Sequence, residues 1–278
     1  MLRIISRALI LWDYVQPSSN WIDAQIPVVI KNSYEQLKRQ GSKSSEYINL
    51  FNDANENNDK EQSTMGEIYV DRQLIRQLHS HIVAGACFAL GLRYAGTGNA
   101  SAAACISERI RAFCKLRDAS DAVSIAQRPE RPILEMCLGC AAIALAMVMA
   151  GTGDIASMRL FREIRWRCDD EVSHGNHMAF GACVGLLFLG GGSCTLGREP
   201  ADIGALLMAF FPRFPCHASD NQYHLQALRH CYVLATRNHE LEAIDVDTRE
   251  PVYVPMEVCQ SCNQCNYSSI NIKLLTDF

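Results

Sequence analysis

The residue types in this chain best suited to chemistry are cysteine, histidine and the glycines of three short turns. Near the C-terminus Cys259, Cys262 and Cys265 form C-x2-C-x2-C, a spacing at which thiolates can converge on zinc or an iron–sulfur cluster. Either site needs a fourth ligand, and Cys231, His230 and His239 supply one only if the chain folds back on itself. The reading adopted is an unstructured tail that binds no metal. His174 and His177 stand before an apolar stretch, and His217 and His224 flank Asp220 before another. The second set could bring three ligands, or an acid and a base, together. A turn is the simpler expectation, because "ASDN" is good capping material and Asp220 would accept backbone N–H groups. Cys216 and His217 do not make a nucleophile and its base, since adjacent side chains seldom point at each other productively. No residue is therefore assigned a catalytic, cofactor-binding or metal-binding role, and no cofactor is expected.

The glycine turns ask a different question. "GTGDIA" from Gly151 and "GTGNAS" from Gly96 approach the G-x-G-x-x-G phosphate cradle, which must follow a strand and open a helix. The segments before them read as helices, no ribose-binding acid follows, and the motif occurs twice in one short region. Self-comparison gives the better account. "GTGN" at Gly96 returns as "GTGD" at Gly151 and "GGGS" at Gly190. Five residues before each first glycine stand Gly91, Ala146 and Gly185, and nine before stand Cys87, Ala142 and Gly181. Bulkier residues flank that small row: Leu92, Met147 and Leu186; Leu90, Leu145 and Val184; Tyr94, Met149 and Phe188. Small side chains four apart share one helix face and let a neighbouring helix approach closely. Three residues after each origin come Asn99, Asp154 and Ser193, all able to cap a following helix. The stripes predicted for those outer helices are Ile106, Ile110 and Phe113; Ile155, Met158, Phe161 and Ile164; and Ile203, Leu206 and Phe210 in a helix starting near Asp202. The origins lie 55 and 39 residues apart, and the excess fits the insertion "KLRDASDAVSIAQRPERP". The unit is a helical hairpin of about 39 residues, stacked on its neighbours. "YHLQALRHCYVLA" reads as a fourth, degenerate copy without the glycine turn.

Around these units the chain divides as follows. Residues 1–51 hold an amphipathic entry helix ("MLRIISRALILWDYV", read as a helix and not a leader), an extended connection "QPSSNWIDAQIP", and a short helix from Val28 to Gln40. Residues 52–67 are polar and Asn-rich, with little to bury against their ordering entropy. The repeat domain spans 68–236, an extended segment spans 237–258 with one short strand in "VYVPMEV" limited by Pro255, and a divergent tail spans 259–278. The 278 residues suffice for a large core. A net charge of −4 gives no reason to expect nucleic acid or an anionic membrane as partner. Thirteen cysteines is an odd number, and Cys87, Cys105, Cys140 and Cys183 sit among Ala, Leu and Gly, as reduced thiols do in a reducing compartment. Uncharged stretches at 136–153 and 178–197 are long enough to span a bilayer. Their Gly, Thr and Ser content, and Arg93 in the equivalent first unit, place them instead inside a soluble repeat.

The fold class expected is all-α, an α-solenoid or toroid with minor extended segments near the C-terminus. "AGACFALGLRYAGTGNASA", "LAMVMAGTGD", "MAFGACVGLLFLGGG" and "FPRFPCHASDNQYHLQALRHCYVLA" followed by "DVDTREPVYVPMEV" resemble the proteasome/cyclosome repeats. More narrowly they resemble those of the scaffold-subunit family of the anaphase-promoting complex. The resemblance runs from about residue 3 to residue 258, and "HASDNQYHLQALRH" is what separates it from the two large non-ATPase proteasome subunits that share the small-residue pattern. It implies a ring-like α-superhelix, a fragment of a much longer chain, and a non-enzymatic scaffold in a multisubunit ubiquitin ligase that controls mitosis. It also implies tetratricopeptide, cullin-like and RING subunits as partners, and residence in nucleus and cytoplasm. Another repeat scaffold of the proteasome regulatory particle is the alternative, and a small metal-binding or membrane protein lies behind both.

Overall fold

A computed structural model describes residues 1–40, 47–49, 69–120, 125, 128–168, 172–215, 217, 219–220, 223–239, 245, 247–248, 250, 252, 256–261 and 269–274. The chain separates into two compact units, Met1–Asn238 and His239–Phe278. The fold is all-α with short strand pairs.

The first unit opens with α1 (Leu2–Ile10), whose buried Ile4, Ile5 and Ala8 recur at helical spacing and face the core. The connection read as extended contains a helix, α2 (Ser19–Ala24). Ser18 caps it by accepting the Trp21 N–H at 3.2 Å, and Ile22 is fully buried. A cap and one anchor outweigh the turn-forming composition of "QPSSN" there. The third helix, α3 (Val28–Gln40), matches its expected span and buries Tyr34 and Leu37 with Ile75. Strands β1 (Tyr47–Asn49) and β2 (Tyr69–Asp71) pair antiparallel; the Asn-rich 52–67 segment between them lies outside the described residues.

Three helical hairpins follow. The inner helices are α4 (Arg72–Arg93), α6 (Arg131–Val148) and α8 (His174–Leu187), and the outer ones are α5 (Ala100–Arg117), α7 (Ile155–Arg165) and α9 (Pro200–Ala209). Helix α4 packs on α6, and α6 on α8. The predicted stripes of α5 and α9 are buried. In α7 Phe161 and Ile164 are buried, but Ile155, at the first helical position, is 66% exposed. Helix α9 starts at Pro200, two residues before its expected start. Asp202 accepts the Glu199 N–H at 3.1 Å, and proline suits a first helical position. Among the described residues only α6 is long and apolar enough to cross a membrane. Its apolar length is met by protein, with Leu134 and the run Cys137–Val148 buried.

The degenerate fourth copy is a short helix, α10 (Tyr223–Leu228), running into a 3-10 stretch (Arg229–Ala235) that packs on α9. Arg229 fixes it there by donating to the carbonyls of Ala209, Phe211 and Arg213 at 2.6–2.9 Å, with its guanidinium 4.0 Å from the Phe214 ring centre. The Ala209 carbonyl ends α9 and has no helical partner of its own, and the other two lie just beyond it. Strand β3 (Cys194–Leu196) pairs antiparallel with β4 (Thr236–Asn238).

In the second unit, the strand expected within "VYVPMEV" is β5 (Met256–Ser261), beginning after Pro255 and running through Cys259 into the tail. It pairs antiparallel with β6 (Ser269–Leu274), with Cys259 opposite Asn271. The tail therefore carries a regular strand pair that the sequence reading did not foresee. Asp245 forms a turn, accepting the N–H groups of Asp247 and Thr248 at 2.8 and 2.7 Å.

Candidate interaction surface

The glycine turns are where the repeat acts. Gly96 and Gly98 have φ of 65° and 60°, the left-handed region that a side chain disfavours. That conformation aims their N–H groups outward, and they donate to the carbonyls of Met147 and Val148 at 2.8 and 2.9 Å. One unit later Gly151 and Gly153 donate to Leu186 and Leu187 at 2.9 and 3.0 Å. Each turn is thus latched to the open C-terminal carbonyls of the next inner helix. Within each turn the bonding also repeats. Thr97 and Thr152 donate to the carbonyls of Tyr94 and Met149, both at 2.8 Å. Asn99 and Asp154 accept from Ala102 and Ser157 at 2.9 and 2.7 Å. With these amides already committed to carbonyls, the turns have no free cradle for a phosphate.

The third turn works otherwise. Ser193, expected to cap a helix, instead donates to the Gly190 carbonyl at 2.6 Å. The chain then runs back under the first two turns, where the Thr195 hydroxyl lies 3.0 Å from the Gly96 carbonyl and 3.2 Å from that of Ala150. A Cβ on Gly96 would meet the Leu196 carbonyl at 2.2 Å. The link to the fourth copy passes to Gly197, which donates to the Ala235 carbonyl at 2.7 Å.

One carboxylate ties hairpin ends together. Glu135, on α6, is 1% exposed. It accepts from Arg117 at the end of α5 (2.5 Å) and from Arg167 beyond α7 through both oxygens (2.6 and 2.8 Å). A buried charge so paired is tolerable, and unpaired it is not. Sequence reading missed Glu135; its only signal was an acid inside an apolar inner helix. Asp202, equally buried, is paired with Arg237.

The reactive-looking groups are insulated. Cys87, Cys137, Cys140 and Cys183 are fully buried, and burial pushes the thiols of Cys87 and Cys137 up to about 12 and raises those of Cys140 and Cys183 as well. Cys137 lies 3.7 Å from His81 Nδ1, but burial lowers the His81 pKa and raises that of Cys137, so the pair stays neutral. His174 and His177 lie inside the first turn of α8, not before it, and Ser173 caps that turn by accepting from Asn176 at 3.3 Å. His217 is exposed and its carbonyl accepts the Asp220 N–H at 3.0 Å, forming a turn. His224 lies in α10. Cys216, Cys262 and Cys265 lie outside the described residues, among which no three His, Cys, Asp or Glu side chains gather as a metal site.

The small-residue face separates the units. A Cβ on Gly91 would lie 2.7 Å from the Ala144 Cα, so α4 and α6 touch backbone to backbone. Ala142 and Ala146 are buried. Gly181 and Gly185, expected to be covered in the same way, would meet nothing within 4 Å. Beside them a groove of about 290 Å³ runs past Ala182, Phe210, Phe214 and Tyr232. The close-packing expectation is corrected there: among the described residues no helix covers that face of α8.

Stacked hairpins, latched turn to helix, define a helical-repeat protein. A family model described as APC1 fifth domain matches residues 1–237, and the chain belongs to that family. It is 38% identical over 258 residues to anaphase-promoting complex subunit 1 of Homo sapiens, covering 93% of this chain and 12% of that protein. The same subunit of Arabidopsis thaliana is 38% identical over 267 residues, with 93% and 14% covered. A protein named negative regulator of mitosis in Emericella nidulans is 32% identical over 261 residues, with 94% and 11% covered. The chain thus spans roughly an eighth of the length of these relatives.

Proposed function

We propose that this chain serves as part of the scaffold subunit of the anaphase-promoting complex, holding other subunits in place with no turnover of its own. The observation that carries the reading is the latch. The glycine amides that recur in the repeat are spent on fixing each hairpin to the next. Glu135 and Thr195 are spent in the same way. A chain built so supplies rigid, extended surface. The partners proposed are tetratricopeptide, cullin-like and RING subunits, and the compartments proposed are nucleus and cytoplasm. The test is co-purification of the tagged intact protein. Recovery with those subunits, and mitotic arrest with stabilised cyclins on depletion, are expected. An intact protein that runs free of every ligase subunit, while the ligase assembles normally without it, contradicts the reading.

A further inference from the structure

The outer helix α7 carries a face that the latches do not use. Ile155, Arg159, Arg162 and Trp166 follow one another at spacings of four, three and four residues, so they share one side of the helix, with Arg165 at its edge. All five are exposed. Ile155 is 66% and Trp166 77% exposed, at opposite ends of a stripe about 16 Å long. A helix that only needed solvation would not place an isoleucine and a tryptophan on that side.

The charge on this face is unpaired among the described residues. Arg167, just beyond α7, is taken by Glu135 together with Arg117. Arg159, Arg162 and Arg165 make no ion pair or side-chain hydrogen bond among the described residues. Glu163, the one acid on α7, is four residues from Arg159 and forms no bridge with it. Three cations therefore lie between two apolar anchors on a chain whose net charge is −4.

We infer that the exposed face of α7 is a docking surface for an acidic, amphipathic segment of a partner protein. Its carboxylates would meet Arg159, Arg162 and Arg165, and its apolar residues would cover Ile155 and Trp166. Arginine offers carboxylates a two-pronged donor, and tryptophan and arginine are the side chains that most often dominate an interface. A nucleic acid would use the cations but gain nothing from Ile155, and the chain's overall charge would repel it. The inference adds a partner-facing surface to the scaffold reading and does not involve the latches.

The test uses the intact protein in its own cells, with a benzophenone amino acid replacing Ile155, irradiated and analysed for cross-linked peptides. Cross-links are expected to converge on one protein segment rich in Asp and Glu. Exchanging Arg159, Arg162 and Arg165 together for glutamate should lower the yield about tenfold, while exchanging them for lysine should retain most of it. In the purified complex, raising salt from about 0.1 to 1 M should weaken the cross-link of the unsubstituted protein, a readout that needs no variant to fold. Cross-links to nucleic acid, to segments without acids, or none at all overturn the proposal, as does a yield indifferent to charge reversal and salt. Co-purification with ligase subunits, recorded in the same samples, separates the two ideas: if it persists while the cross-link fails, the scaffold stands and this surface does not.

Discussion

At Gly96 and Gly151 the turn amides reach across to the carbonyl end of the next inner helix, and the residue three places on caps the outer helix. At Gly190 the Gly191 and Ser193 amides donate back to the Phe188 and Gly190 carbonyls, and the serine hydroxyl folds back on the turn. The helix faces differ in step with the turns. The small face of α4 is pressed onto α6 at Gly91, and that of α8 at Gly185 is open. A repeated motif thus shows how two units are joined, but whether a given copy is joined depends on a neighbour that presents free carbonyls and a matching face.

This comparison can be broken by substitution. The largest effect is expected at Glu135. Glu135→Ala would leave Arg117 and Arg167 without their buried carboxylate and should destabilise the chain by roughly 3–5 kcal/mol in denaturant unfolding. Next come two glycines of equal φ, Gly96 at 65° and Gly191 at 66°. Alanine at either costs about 1–2 kcal/mol for its backbone conformation. Only Gly96→Ala also meets the Leu196 carbonyl, whereas Gly191 has nothing within 4 Å, so Gly96→Ala should lower the unfolding midpoint further.

The helix faces give the third contrast. Gly91→Leu should overpack the α4–α6 contact by about 1–3 kcal/mol. Gly185→Leu should stay within about 0.5 kcal/mol of the parent chain, and equal losses would mean that the two faces are equally covered. The smallest effect is that of Thr195→Val, which removes the hydroxyl between the Gly96 and Ala150 carbonyls and should cost about 1 kcal/mol.

Much of this was legible in the sequence. The period, the hairpins, the caps at Asn99 and Asp154 and the stripe of α5 follow from residue type and spacing, because local geometry dictates them. What depended on distant partners was not legible. Nothing near Glu135 in sequence announces Arg167, and nothing in "GGGSCTL" tells that Thr195 will lie beneath Gly96. The same limit misplaced Gly185, read as covered because its counterpart Gly91 is. Ile155, read as core, stands nine residues before Ile164, two and a half turns, so it lies on the opposite side of α7 from the buried Phe161 and Ile164, in line with Arg159 and Arg162. The α2 helix escaped because one cap and one buried isoleucine suffice for six residues amid turn-forming neighbours.

The central claim is that the first two glycine turns are latches between units. Native-state amide hydrogen exchange in the intact protein, resolved to single residues, tests it most directly. The Gly96, Gly98, Gly151 and Gly153 amides should be protected as strongly as the inner-helix amides of α6 and α8, and Gly191 should exchange far faster. Exchange at those four glycines as rapid as at Gly191 would contradict it.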